Sequence, residues 1–373
     1  MSALRVVWQP LACPSHDDQR RARGTRRANR FCSAVSAVSA LNVVPCWQRR
    51  LVRHALSTPE IHESCCAFPF VSFVSIVSFV RFVITIIINP VAGGRRESVG
   101  ARVDLARRVS AESGETADVV VTEARGHARA LAHAARANGA RVIVAWGGDG
   151  TVNEIAGELA FSDVPIGIVP AGSGNGLARE LGLRAKPHAA LRTALAGRPR
   201  PIDVGEISNR LFVNLAGVGL DAHIAACFNA AGNRLRGVGG YVLQTARSLV
   251  GYRPRQYRVI IGEQPTSVQA LFIVIANGTQ FGNGMLIAPG ARVDDGALDV
   301  VVVEERSRAA TICRVPWLLC RSIHKVPVWS SRRTEAVAIA CDEAMVFHVD
   351  GEIVQGGTML EARIHRHALR VMV

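Results

Sequence analysis

The sequence predicts an α/β protein in two parts: a nucleotide-binding domain on an open parallel sheet, then a β-rich antiparallel second domain. Three observations predict it. Between residues 82 and 200, short apolar runs alternate with helix-like stretches, the pattern of strands joined by crossover helices. Three of those runs end in turns of small and amide residues. After Pro199-Arg200-Pro201 the texture changes to short β-like segments with few helical interruptions.

Residues 1–81 stand apart from both parts. They hold eleven Arg against four Asp or Glu, half of the net charge of +14. Residues 33–40 repeat Ser, Ala and Val, and residues 67–80 repeat Phe, Val and Ser. We read this segment as disordered or as an extension upstream of the true translation start, because its composition does not suit a packed core. The apolar stretch that continues through Phe82–Ile88 has membrane-spanning length, so an anchor is the competing reading. Against it stand Arg81 in the middle and the need for the second half as a buried strand.

The first strand, Val83–Ile88, enters the turn Asn89-Pro90-Val91-Ala92-Gly93-Gly94 and a helix at 95–112. A strand at Asp118–Thr122, a helix from about 126 to 138 and a strand at 141–146 follow. Then come the turn Gly147-Gly148-Asp149-Gly150, a helix at 151–160, a strand at 164–169, the turn Pro170–Gly176 and helices around 174–196. The second domain, 201–373, is expected to carry strands at 202–207, 211–216, 256–262, 268–276, 298–303, 336–341, 345–349 and 359–365. Helices are expected at 221–231 and 238–250. In an open parallel sheet, turns that follow strands gather at the carboxyl edge, where ligands bind. The site is therefore expected in the cleft between the domains.

The stretch Gly147-Gly148-Asp149-Gly150-Thr151-Val152-Asn153-Glu154 carries the most chemistry. Glycines let the backbone come close to a ligand, and a helix start offers unpaired N–H groups to phosphate. Asp149 would repel phosphate directly, so a cation or a transferable proton belongs between them. Thr151 and Glu154 also have capping-box spacing, which accounts for those two residues but not for the glycines and the aspartate. The stretch is not a Walker loop, since no lysine follows and the chain has only Lys186 and Lys325; nor is it G-x-G-x-x-G. No protein-kinase catalytic loop or D-F-G triplet is present. Net positive charge suits an anionic partner, a nucleotide or an acidic lipid surface. Three tyrosines and no aromatic-basic interleaving argue against nucleic acid. Nine cysteines without a C-x-x-C pair or a histidine cluster argue against zinc.

From Ile84 to Val373 the chain resembles the diacylglycerol kinase catalytic-domain superfamily, in its bacterial lipid-kinase branch, with sphingosine and ceramide kinases as relatives. The carrying segments are Asn89–Gly93, Gly147–Glu154, Pro170–Asn175, Gly217–Ala222, Ala288–Asp299 and Asp350-Gly351-Glu352. The glycine motif alone would also fit NAD kinases. The resemblance implies an ATP- and Mg²⁺-dependent kinase acting on a hydroxyl of a diacylglycerol- or sphingoid-type lipid. It also implies a cytoplasmic protein with reduced thiols, peripherally associated with a membrane surface; a homodimer is compatible with it. Asn89, Pro90, Val91, Ala92, Gly93, Thr122, Gly147, Gly148, Asp149, Gly150, Thr151, Asn153, Glu154, Ser173 and Asn175 are then expected at the nucleotide, with Asp149 orienting Mg²⁺ through water.

Glu352 is expected as general base and Asp350 as its partner, the glycine between them aiming both carboxylates at one point. Alone, Asp350-Gly351 would read as a hairpin tip. Asp221 is expected at a lipid head group, or as the cap of the helix it begins. Asp295, with the carbonyls of Arg292 and Ala297, corresponds to the family's second Mg²⁺ site, or to a plain Asp-Gly turn. Two departures matter. Ala92 stands where serine is common, and Pro170–Gly176 is closer to the sphingosine and ceramide kinase form, which weakens the case for diacylglycerol. The alternatives are an NAD kinase-like enzyme acting on a soluble ribose hydroxyl and an inactive nucleotide- or lipid-binding regulator.

Overall fold

The computed structural model describes residues 84–93, 98–183, 186–231, 252–281, 285–305 and 325–373, all within one compact unit, Ile76–Val373. The readings made for residues 1–81 and for a helix at 238–250 lie outside the described residues.

Strand β1 (Ile84–Ile88) is buried at all five positions, as β-branched strands of a parallel sheet covered on both faces are. It pairs in parallel with β2 (Ala117–Val121) on one side and β3 (Val142–Gly147) on the other, and β3 pairs in parallel with β4 (Ile166–Pro170). Alternate residues serve opposite cores. Ile87, Ile143 and Ala145 face α2 (His127–Ala137) and α3 (Asp149–Leu159). Ile86, Ile88, Val144 and Trp146 face α1 (Val99–Glu112) and α5 (Pro187–Ala196). Helix α1 starts where Ser98 Oγ accepts the Ala101 N–H at 3.1 Å, a side-chain cap of the usual kind. A short helix, α4 (Gly176–Glu180), follows the β4 turn.

Beyond α5 the sheet turns antiparallel through β5 (Pro199–Ile207), β6 (Arg210–Phe212), β7 (Leu215–Gly219), β8 (Arg255–Ile261), β9 (Gln264–Ala276) and β10 (Leu298–Glu304). It continues with β11 (Trp329–Thr334), β12 (Ala336–Ala340), β13 (Val346–Val349), β14 (Glu352–Gln355) and β15 (Met359–Met372). Helix α6 (Leu220–Ala231) follows β7 directly. Residues such as Phe212, Ile273, Ile339 and Phe347 close a second core on this side.

The last strand is longer than the sequence indicates. It pairs antiparallel with β12 and β5, breaks register between His365 and Leu369, where His367 adopts φ 52°, and meets β4 in parallel at Val371↔Ile166. The chain end thus returns to the parallel strands, and the described strands form one continuous sheet. The single strand expected at 211–216 is two, β6 and β7, and two further strands fall where none was expected. Trp329-Ser-Ser-Arg-Arg-Thr334 has no apolar alternation and pairs only with β10, at the sheet edge; Glu352–Gln355 is the other arm of the Asp350-Gly351 hairpin.

Candidate active site

The turns after β1, β3 and β4 meet at one edge. With the β13–β14 turn and the start of α6, they line a cleft of about 570 Å³. Its glycines are required by close approach. A Cβ on Gly172 would lie 2.7 Å from the Gly148 Cα, backbone against backbone, and one on Gly147 would lie 2.5 Å from Thr151 Oγ1. The Ala171 N–H donates to the Gly147 carbonyl at 2.8 Å, so the two turns lock together.

Asn89 ties the first turn to them. Its Nδ2 donates to Thr151 Oγ1 at 2.8 Å, and its Oδ1 accepts the Val91 N–H at 3.1 Å, closing the turn that holds Pro90 and Ala92. Gly93 follows at φ 81°. Arg102 on α1, unnoticed in the sequence, donates to the carbonyls of Asn89 at 3.1 Å and Ala92 at 2.7 Å. It is almost wholly buried, and it braces the turn from behind.

Helix α3 begins at Asp149, two residues earlier than expected, so Gly150 and Thr151 form its first turn and the cleft receives its N-terminal end. The expected capping box does not form. Glu154 instead reaches α2, accepting the Gly126 N–H at 2.9 Å and the Ala128 N–H at 3.1 Å. Asp149 accepts the Asn175 and Gly176 N–H groups at 2.8 and 2.7 Å. Burial pushes its carboxyl above the ordinary range, while these amides and Arg179 pull against that. Asn175, in the left-handed region at φ 52°, spends its amide on its own turn, bonding both the N–H and the carbonyl of Gly172 at 2.8 Å. Ser173 and Thr122 line the cleft.

Asp350 and Glu352 do not converge on one point. Asp350, at φ 47°, turns inward and accepts four hydrogen bonds: from Val213 N–H at 2.8 Å, Asn214 and Leu215 N–H at 3.0 Å, and Asn153 Nδ2 at 2.7 Å. Burial pushes its carboxyl above the ordinary range, and the four donors pull against that without cancelling it. A proton on either oxygen would face an N–H, so the anion is the form this geometry accepts. Asn153 thus spans from α3 to the hairpin. Glu352 turns the other way, its Oε1 3.2 Å from Arg125 Nη2 and about 4.0 Å from where a Cβ on Gly150 would stand. Arg125 is the one guanidinium lining the cleft among the described residues.

Asp221, at the start of α6, is buried and bonds His348 across 2.6 Å. Burial pushes the imidazole down in pKa; the charge and hydrogen bond of Asp221, with Asp350 beyond, outweigh it and raise the value above the usual one. Nothing in the sequence singled out His348, whose signal, a lone histidine inside an apolar strand, is indistinguishable from a core residue.

At the Asp295 turn both carboxylate oxygens have partners in the protein. One Asp295 oxygen accepts the Ala297 N–H at 3.1 Å and the other is taken by the Arg333 guanidinium, while Arg292 pairs with Asp294 at 3.6 Å. Among the described residues there is no group of three or more His, Cys, Asp or Glu suited to hold a metal. Asp149 fits a Mg²⁺ held mainly by phosphates, since one carboxylate at the cleft suffices for that role.

Residues 83–207 match the family described as "Diacylglycerol kinase catalytic domain", and residues 214–373 match "YegS C-terminal NAD kinase beta sandwich-like domain". A Chromohalobacter salexigens protein named "Probable lipid kinase YegS-like" is 35% identical over 240 residues, 58% of this chain and 77% of that protein. A Mycobacterium tuberculosis protein named "Diacylglycerol kinase" is 30% identical over 279 residues, 72% of this chain and 88% of that protein. The chain belongs to the diacylglycerol kinase catalytic-domain family. A Bacillus anthracis diacylglycerol kinase crystal structure shares this kinase family's fold, with a TM-score of 0.63 at 22% identity over 78% of this chain and 96% of that one. Among the described residues no helix is long and apolar enough to cross a membrane.

Proposed function

We propose that this kinase-family member transfers the γ-phosphoryl group of ATP, with Mg²⁺, to a hydroxyl of a diacylglycerol- or sphingoid-type lipid presented at a membrane surface. The observation that carries the reading is the gathering along one cleft of a helix N-terminus, three small-residue turns, and Asp221, His348 and Glu352, brought together from distant parts of the chain. Phosphoryl transfer needs positioning and charge stabilisation more than covalent chemistry, and such a cleft supplies both.

The N–H groups at the start of α3 bind phosphate oxygens, aided by the dipole of an 11-residue helix. Asp149 would hold Mg²⁺ together with the nucleotide's phosphates, and the ion would supply neutralising charge there. Arg125 lies at the same opening and adds the guanidinium that phosphate favours. Glu352 accepts the proton of the attacking hydroxyl. Asp350 has no free oxygen for that task; it holds the 213–215 backbone and Asn153 so that the hairpin carrying Glu352 stays fixed to α3. Apolar Ala225, Phe281 and Met285 on the lipid side suit the alkyl part of an acceptor.

The test is transfer of label from [γ-³²P]ATP with Mg²⁺ into diacylglycerol, sphingoid bases, ceramide, phosphatidylglycerol and NAD. Label in the organic extract supports the reading and names the acceptor. Label only in the aqueous phase, on NAD, moves the assignment to a soluble-acceptor kinase.

A further inference from the structure

We propose that His348 is a positioning residue whose two ring nitrogens do separate work, one holding Asp221 for the acceptor and the other fixing the turn that carries Glu352. This rests on the lipid-kinase reading of the same cleft.

His348 sits on β13, in register with Gly217 of β7 and Ile353 of β14. It is 3% exposed and Asp221 6%, yet both line the cleft. Nε2 lies 2.6 Å from Asp221 Oδ2, and Nδ1 lies 3.3 Å from the backbone nitrogen of Gly351, the residue between Asp350 and Glu352. Asp221 raises the ring's affinity for a second proton, but that proton on Nδ1 would face the Gly351 N–H; with one proton, on Nε2, the ring donates to Asp221 and accepts from Gly351 at once, and the hydrogen-bond partners assign this tautomer. The fold makes room for the pair. A Cβ on Gly217 would fall on Asp221 Oδ2 and lie 2.7 Å from His348 Nε2, so a larger residue on β7 would expel one partner.

Any buried histidine needs partners for its nitrogens; what distinguishes this one is that they are a carboxylate lining the cleft and the turn that carries Glu352. The charged groups around the ring are Asp221 on α6 and Asp350 on the β13–β14 turn. Asp350 is saturated by four donors, so Asp221 is the carboxylate that the ring orients.

Two substitutions separate the two functions. His348→Gln keeps an N–H donor near the Nε2 position and loses the acceptor for Gly351. His348→Asn keeps an acceptor near Nδ1 and loses the donor to Asp221. With short-chain diacylglycerol or sphingosine in mixed micelles, whichever the parent labels, His348→Asn raises the lipid KM about tenfold with kcat nearly unchanged, the size of a lost hydrogen bond to a charged group. His348→Gln lowers kcat by about the same factor and leaves the lipid KM near the parent value. The KM for ATP stays within about twofold in both, since neither nitrogen faces the phosphate turns.

Both variants changing both parameters alike, or neither changing either, overturns the proposal. Where a histidine variant does not fold, Asp221→Asn, isosteric and neutral, decides: a raised lipid KM supports the proposal and a parental one overturns it. No lipid transfer by the parent removes the lipid-kinase reading itself, and this inference with it. Parental transfer without the split removes only the inference.

Discussion

Replacing Asp350 by Asn distinguishes a scaffold from a base. The carboxylate accepts two hydrogen bonds on each oxygen: Asn214 and Leu215 N–H on Oδ1, Val213 N–H and Asn153 Nδ2 on Oδ2. In asparagine one of these oxygens becomes an NH₂, and whichever way the amide turns, it faces two donors. Hydrogen bonds to charged groups are worth about 1.5–3 kcal/mol each, so losing two of them destabilises the fold by about 3–6 kcal/mol. For a unit of about 300 residues, at about 2.1 cal/mol/K of unfolding entropy per residue, each kcal/mol moves the midpoint by about 1.6 °C, which puts the expected fall in Tm at roughly 5–10 °C. Differential scanning calorimetry at neutral pH reads it directly. A variant that melts with the parent but transfers no phosphate would place the carboxylate in the chemistry and not in holding the hairpin.

Three further outcomes follow from the geometry. Gly172→Ala drives a Cβ to 2.7 Å from the Gly148 Cα, two backbones that cannot both yield, and destabilises by about 1–3 kcal/mol as overpacking does, with loss of ATP binding by isothermal titration. Arg125→Gln leaves Tm within the range of surface changes but weakens ATP binding about tenfold, since it removes the cleft's guanidinium. Glu206 is engaged by Arg363 at 2.9 Å and His365 at 2.6 Å. Burial pushes its carboxyl up, but these partners prevail and hold it below the ordinary value. A depressed carboxylate stabilises above its unfolded pKa and loses that contribution as pH falls through the folded one. Glu206→Gln therefore melts below the parent at pH 7, and thermal scans show the gap closing as pH drops below the usual carboxylate range.

The parallel half of the fold was legible because its signals are local. β-Branched runs, small-residue turns and helix-period stretches stand in sequence order, and the structure places β1 to β4 and the intervening helices near the expected bounds. The reach of β15 back to β4 was not legible, since a parallel pairing between Val371 and Ile166 depends on a register break at His367 that no short-range pattern announces. At the site, the structure gathers the expected segments along one cleft, while several side chains expected at a ligand make internal bonds. From sequence, polar residues beside glycines read as ligand-facing, whereas Glu154 caps α2, Asn175 closes its own turn and Asp350 holds a backbone loop. Their partners lie on other elements or in turn geometry that spacing does not encode. Arg102 and His348 escaped notice for the converse reason: an arginine in a helix and a histidine in a strand acquire meaning only from what the fold sets beside them.

Whether Glu352 is the general base in transfer to a lipid hydroxyl is read from label of [γ-³²P]ATP in the organic extract, for the parent and for Glu352→Gln. A positioned base contributes about 10²–10⁴-fold, so the expected result is transfer by the parent and a fall of at least about a hundredfold in the variant at unchanged Tm. Transfer by Glu352→Gln at the parent's rate would contradict that role.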